Sequence, residues 1–306
     1  MGYSKKNLYL KKFRNKIFVL KIGGEVIEKK NVLQKILKDI KKLVRFGIKI
    51  ILVHGGGKQA DHLSLQIGHT PVKVNGRRVT GQQDLEIAKM LYGGSLNLEI
   101  LSIMKKLKMK GIRVSGLDGN LLDVYLRDKS KFDFGFVGDI KKVNPGILRS
   151  LLKEKYLPIV SPLAVTNDGI IVNINADTIS TTIATSLKAA KLILFTNVDG
   201  VYKNNKLLKL LTLDEATELI NSGDAKDGMA VKLTNCIQAI EKGVKRVHII
   251  NGLSPHSLLS EILTKRGAGT MITTNKEKDA YSNEGRAKGA KDRNYCRNSR
   301  RGRSRR

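Results

Sequence analysis

Between residues 17 and 57 the chain passes from an unbroken apolar stretch, IFVLKI, through a segment of helical periodicity into a second apolar stretch, KIILV. The second stretch runs straight into His54-Gly55-Gly56-Gly57. This order restricts the fold more than anything else in the chain. Short apolar runs bounded by glycine read as strands buried on both faces. Within 31–46, Val32, Leu33, Ile36, Leu37, Ile40, Leu43 and Val44 share one helical face, and Gly47 is a natural stop. Strand, helix, strand is a βα unit, so the expected sheet is largely parallel with helices on both faces. A helix after the glycines would turn their N–H groups to the C-terminal edge of that sheet, where open α/β folds bind ligands.

The rhythm changes over 110–142. IRVSGL, LLDVYLR and FGFVGDIKKV are short alternating runs separated by Gly, Asp and Asn, and they suggest a β-rich flap. From YLPIVSPLAV onward βα units resume. NINADTISTTIATSLKAA becomes a helix with Ile179, Ile183 and Leu187 inward, and KLILFTNVDGVY is a core strand ending in a turn. Residues 226–242 form a helix, with Met229, Leu233, Cys236, Ile237 and Ile240 inward, before VKRVHIING returns to the sheet. The expected organisation is a basic N-terminal segment over 1–16, one α/β domain over 17–274, and a tail over 275–306. That tail has few aliphatic residues and a dense basic end, so disorder is expected there.

Composition excludes several classes. With 306 residues and 41% hydrophobic content, a large core is accessible. Without tryptophan and with 5% aromatic residues, stacking on nucleic-acid bases is a poor expectation. Cys236 and Cys296 make neither a disulfide framework nor a zinc spacing, which suits a reducing cytoplasm. The N-terminus lacks a signal-peptide core, Lys6 breaks the myristoylation pattern, and no apolar run approaches membrane length. The net charge of +30 reads mainly as solvated lysine-rich helix faces. Nucleic acid is expected at most through the tail, by sequence-blind electrostatics.

Against this frame Lys21 and Lys232 stand out. Lys21 closes a buried strand, and burying an unpaired ammonium is costly, so a partner or a task is implied. Two lysines from separate elements, with a glycine-rich turn between them, suit phosphoryl transfer, which needs positioning and charge neutralisation more than covalent chemistry. HGGGK is not a Walker A loop, because Leu52 stands where the first glycine belongs and Gln59 where Ser or Thr should follow the lysine. Asp177 begins a helix. It is either a plain first-turn carboxylate or the group that holds both lysines.

Taken together, KIGG, VHGGGKQ, KVNGRRVT, GFVGDI, YLPIVSPLAV, NINADT, NVDGVY, DGMAVK and GAGTMI resemble the N-acetylglutamate kinases of the amino acid kinase family, in order and spacing, over about residues 17–272. The resemblance implies a three-layer αβα sandwich on a mostly parallel sheet of about eight strands. The acetylglutamate half would span 17–175 and the ATP half 176–274. It implies phosphorylation of the side-chain carboxylate of N-acetyl-L-glutamate by ATP with Mg²⁺, in a cytoplasmic enzyme that forms a homodimer, or a homohexamer where an N-terminal helix is exchanged. Lys21 and Lys232 would stabilise the migrating phosphoryl group, and Asp177 would organise them. Gly23 and Gly24 would line the phosphate path. Gly56, Gly57, Arg78 and Asn173 would bind acetylglutamate. Asn197, Asp199, Gly200, Val201, Tyr202, Asp224 and Lys226 would hold the nucleotide, and no protein metal site is implied. An arginine effector site would use His256, Glu261, Gly267 and Gly269, with LYLKKFRNK as the preceding helix. The bland alternative is that PHSLLSEIL is simply an amphipathic helix with Glu261 in solvent.

The chain departs from the pattern at Asn197, where Asp is frequent, and at Val231, where Pro is frequent. Two rivals stand beside this reading. One is a sister kinase acting on carrier-bound aminoadipate or glutamate, against which NINADT and GFVGD argue. The other is a non-catalytic nucleic-acid-binding protein on a kinase scaffold, against which the intact lysines and Asp177 argue.

Overall fold

The computed structural model describes residues 11–74, 76–264 and 267–278, apart from the side chain of Asp227. Eight strands form one central sheet: β1 (Ile17–Ile22), β2 (Lys49–His54), β3 (Gly111–Val114), β4 (Leu157–Val160), β5 (Lys191–Thr196), β6 (Leu210–Thr212), β7 (Arg246–Asn251) and β8 (Thr270–Thr273). Their spatial order is β6-β8-β7-β5-β1-β2-β4-β3. The β7–β8 pair is antiparallel and the other pairs are parallel. β1, β2, β5 and β7 therefore end on one edge, and their outgoing loops meet there.

Among the described residues these α-helices complete the layers: α1 (Gly24–Glu28), α2 (Lys30–Arg45), α3 (Gly57–Gln66), α4 (Gln82–Met90), α5 (Leu96–Lys106), α6 (Gly146–Lys153), α7 (Ala176–Ser186), α8 (Leu213–Asn221), α9 (Asp227–Glu241) and α10 (Ser257–Leu263). Two apolar clusters lie on opposite faces of the sheet. Phe18, Leu20 and Ile22 of β1 pack with residues of α1, α2, α4, α5 and α10 on one face. Val19 packs with Ile179, Ile183, Leu233 and Cys236 of α7 and α9 on the other. Strand residues alternate between faces, so Lys21 points the same way as Val19, toward α7 and α9. Each fully buried Leu or Ile contributes about 2 kcal/mol by leaving water.

Two expectations change. IRVSGL does not belong to the flap: Gly111–Val114 is the edge strand β3, paired in parallel with β4. Of the three runs, only Leu122–Leu126 and Gly138–Val143 pair with each other outside the main sheet, where three other two-stranded pairs also lie among the described residues. The packed body also extends past the expected start of the tail at 275. Residues 275–278 are helical, Glu277 pairs with Lys245 and Arg246, and Lys278 pairs with Glu215. The rest of the tail, and residues 1–10 of the expected N-terminal helix, lie outside the described residues.

Candidate active site

Asp177 sits in the first turn of α7 with Asn175 as N-cap. The Asn175 side chain accepts from the N–H groups of Asp177 at 2.8 Å and Thr178 at 3.1 Å. The cap role is thus filled, and the Asp177 carboxylate is free to face the sheet. It meets both lysines: Lys21 Nζ lies 2.8 Å from Oδ1, and Lys232 Nζ lies 3.2 Å from Oδ2. Lys21 and Asp177 are buried, and Lys232, in the second turn of α9, is partly open. Burial alone would raise the Asp177 pKa, but Lys21 and then Lys232 outweigh it and bring it down to about 2. Burial lowers the Lys21 pKa; Asp177 opposes this and Lys232 adds to it. With both lysines protonated, the cluster carries one surplus positive charge, open on the Lys232 side. Such a cluster can receive an anionic group.

The two glycine loops adjoin it. A Cβ on Gly23 would stand 4.0 Å from Lys21 Nζ. Gly24 is tight: a Cβ there would be 2.6 Å from Gln59 Oε1, 3.3 Å from the Lys58 backbone nitrogen and 3.4 Å from the Gly56 Cα, so the Gln59 side chain would have to give way. Gly56 is equally tight against Leu96 and Tyr92, whose ring atom Cε1 would lie 2.7 Å from a Cβ. Gln59 Nε2 donates to the Gly24 carbonyl at 2.8 Å and straps the loops together. Tyr92 remains a neutral phenol, its pKa pushed up to about 12 chiefly by burial.

Arg78 lies on the small hairpin of Lys73–Val74 and Arg77–Arg78, half of KVNGRRVT. Its Nη2 donates to the Gly57 carbonyl at 2.9 Å and to Asp61 Oδ1, and its Nη1 reaches Asp84 Oδ1 at 3.5 Å. Asn173 Nδ2 donates to the hydroxyl of Thr80 at 3.3 Å, two residues beyond Arg78. The structure thus joins Gly57 with Arg78, and Asn173 with Thr80, just past the strand that carries Arg78. Asp61, Asp84 and Thr80 were not singled out from sequence. Only Asp84 had a local signal, as an acidic residue in a helix's first turn.

Asn197 and Asp199 are exposed on the loop leaving β5, Tyr202 is exposed on the short strand Val201–Lys203 that follows, and Asp224 and Lys226 are exposed just before α9. Asp199 accepts from Asn251 Nδ2 at 2.9 Å, across the ends of β5 and β7. Gly200 and Val201 are buried instead, with the Val201 N–H donating to the Thr270 hydroxyl at 2.8 Å.

The expected effector residues separate. His256 pairs with Asp39 of α2 at 3.1 Å. Glu261 is buried rather than in solvent, and it meets a different histidine: His248 Nδ1 at 2.7 Å. Glu261 Oε2 also accepts from the N–H groups of Ala268 and Gly269, at 2.5 and 3.0 Å. Gly267, at φ 64°, leaves room where a Cβ would stand 2.8 Å from Glu261 Oε2. Lys191 Nζ lies 2.8 Å from His248 Nε2. With the proton on Nδ1, neutral His248 accepts from Lys191 and donates to Glu261. Burial, then Lys191, lowers the His248 pKa to about 4; burial lowers that of Lys191 to about 7. Burial would raise Glu261, but His248 first and the two N–H donors bring it down to about 2.

An open α/β sheet with a lysine–carboxylate–lysine cluster and two glycine loops at its C-terminal edge defines a class of anion-handling α/β proteins. Residues 16–251 match the amino acid kinase family. The chain is 42% identical over 265 residues to the acetylglutamate kinase of Kosmotoga olearia, covering 86% of this chain and 93% of that one. It is 40% identical over 276 residues to the acetylglutamate kinase of Methanoregula boonei, covering 87% and 95%. Among solved structures it resembles the N-acetylglutamate synthase of Neisseria gonorrhoeae complexed with coenzyme A and N-acetyl-glutamate. That match has a TM-score of 0.82 and 27% identity, and covers 89% of this chain but 63% of the longer synthase chain. The chain belongs to the amino acid kinase family.

Proposed function

We propose that the protein transfers the γ-phosphoryl group of ATP to the side-chain carboxylate of N-acetyl-L-glutamate, yielding N-acetyl-L-glutamyl 5-phosphate and ADP for arginine synthesis. The observation that carries this is the bridging of Lys21 and Lys232 by Asp177 beside Gly23 and Gly24, in a chain whose relatives are named acetylglutamate kinases. The nucleophile is already ionised, so no general base is needed. One carboxylate oxygen bonds to the γ-phosphorus as the bond to the β–γ bridging oxygen breaks, and ADP leaves with that electron pair. The work left to the protein is alignment and neutralisation of the non-bridging oxygens. Lys21 supplies charge from the acetylglutamate half and Lys232 from the ATP half, while Asp177 sets their spacing. Arg78 pairs the α-carboxylate, which suits its forked donors, and Asn173 holds the amino-acid end.

Mg²⁺ fits as a passenger of ATP. Asp177 is committed to two ammonium groups, and no cluster of three His, Cys, Asp or Glu side chains among the described residues could hold a metal. The ion would be held by phosphates and water and would neutralise charge between the β- and γ-phosphates. No helix among the described residues is long and apolar enough to cross a membrane. A cytoplasmic homodimer is the state in which we expect the enzyme to work.

The test is an ATP-dependent assay that traps the acyl phosphate with hydroxylamine, run with acetylglutamate, acetylaspartate, aspartate, carbamate and uridylate. Acetylglutamate should be preferred. Lys21→Ala or Lys232→Ala should each lower kcat by about a hundredfold or more in a folded protein. Turnover close to wild type in either variant rules the mechanism out.

A further inference from the structure

The hairpin that carries Arg78 has only two residues in each strand, Lys73–Val74 and Arg77–Arg78, and in its register Lys73 stands directly opposite Arg78. Two-stranded hairpins this short are not stable alone, and like charges facing each other across a strand pair oppose pairing. Carboxylates from outside the hairpin offset that repulsion; Asp84 reaches only Arg78, at 3.5 Å, and one anion meets both cations. That anion is Asp61, in the second turn of α3, the helix that starts at Gly57. Asp61 Oδ2 accepts from Lys73 Nζ at 2.6 Å, and Oδ1 accepts from Arg78 Nη2. One carboxylate thus clasps both members of the opposed cationic pair, one oxygen to each. The same Nη2 donates to the Gly57 carbonyl, so the clasp also fixes where the guanidinium lies relative to the glycine loop. The hairpin turn reaches farther: a Cβ on Gly76 would come within 3.9 Å of the Gly228 backbone nitrogen, in the first turn of the helix that carries Lys232.

We infer that Asp61 is a positioning residue for acetylglutamate. It holds the Lys73–Arg78 hairpin closed on α3, so that Arg78 stands ready beside Gly57 for the substrate's α-carboxylate. This rests on the function proposed above. Arg78 has five N–H donors, and its contacts with Asp84, Asp61 and Gly57 use three. The two left, Nε–H and one on Nη1, point apart on either side of Cδ and make no fork, so a carboxylate seeking a two-pronged grip takes the place of one Nη2 partner. Without Asp61, the guanidinium keeps its charge but loses its registration on the loop.

Two measurements on the full chain test this. In steady-state kinetics, Asp61→Asn should raise KM for acetylglutamate about tenfold or more. Its kcat and its KM for ATP should stay within about twofold of wild type, and Asp61→Glu should recover part of the loss. A KM for acetylglutamate that stays the same or falls, or a loss shared equally with ATP, overturns the assignment. Amide hydrogen exchange needs no substrate. Exchange at residues 72–79 should speed up in Asp61→Asn, while the Asp177–Lys232 region and the thermal midpoint stay as in wild type. Unchanged exchange over 72–79 also overturns the clasp. A wild-type protein inactive on acetylglutamate would instead remove the functional reading, and the exchange experiment would still decide the clasp.

Discussion

At the residue scale, Asp177 decides how the two lysines behave. Burial pushes the Lys21 pKa down, Asp177 lifts it, and Lys232 pushes it down again. Replacing the carboxylate by an amide of the same shape leaves the two lowering influences in place and removes the raising one. The alkaline limb of the pH–rate profile, where Lys21 loses its proton, should therefore move to lower pH in Asp177→Asn. The kcat should also fall, because the lysines lose their common anchor. An alkaline limb in the same place as wild type would show that Lys21 does not sense Asp177. The roles of these residues were partly legible in sequence. A lysine closing the buried strand IFVLKI asks for a counter-charge, and an aspartate opening a helix that already has Asn175 as a cap residue is available to supply one. That the two meet depends on the parity of β1, which aims Lys21 at the face covered by α7 and α9.

At the element scale, periodicity located β1, α2, β2, α7, β5 and α9, since each has enough apolar residues in register to state its own period. It misplaced Gly111–Val114, because a short edge strand with exposed Arg113 looks locally like a hairpin strand; pairing with β4 is a long-range fact. Long-range pairing also hid Asp61 and His248. Asp61 is an ordinary polar residue on a helix, and His248 an ordinary strand residue, until the chain returns to meet them. Glu261 shows the outcome best, for it ties α10 to β7 through His248 and to the 267–269 turn through two N–H groups. Glu261→Gln keeps the shape but replaces a charged double acceptor, and should cost about 1–3 kcal/mol in denaturant unfolding with an unchanged m-value. The pH dependence has a definite sign. The Glu261 pKa falls from 4.5 to about 2 on folding, so its contribution is complete above about pH 4.5 and disappears as pH drops toward 2. The stability gap between wild type and variant should narrow over that window; a constant gap from pH 7 to 2 contradicts the charged role.

At the scale of the whole molecule, the sheet separates two polar sites. The Asp177 cluster lies at the edge where β1 ends, whereas Lys191 opens the parallel neighbouring strand β5 at the opposite edge. In the β1–β5 register Lys191 stands beside Phe18, three residues or roughly 10 Å before the level of Lys21. Phe18 faces the opposite side of the sheet from Lys21, so a ligand at Lys191 lies away from the reacting groups. Arginine inhibition, expected from the family resemblance, would therefore act at a distance. It would act through Glu261 in company with His248 and Lys191, not with His256, which is engaged by Asp39. A carboxylate offers about four acceptor positions, and His248, Ala268 and Gly269 occupy three of those on Glu261. A guanidinium seeking a two-pronged grip must displace at least one of them. That would disturb the 267–269 turn, which feeds β8, and Thr270 at its start accepts from the Val201 N–H in the segment that follows β5. A continuous chain of contacts thus runs from Glu261 through the 267–269 turn and Thr270 to Val201. We expect millimolar arginine to lower the initial rate at subsaturating acetylglutamate, acetylglutamate to weaken arginine binding by the same factor, and Glu261→Gln to abolish the response. An initial rate indifferent to arginine, or a Glu261→Gln enzyme as sensitive as wild type, would leave the Lys191–His248–Glu261 chain a purely structural strut between β5, β7 and α10.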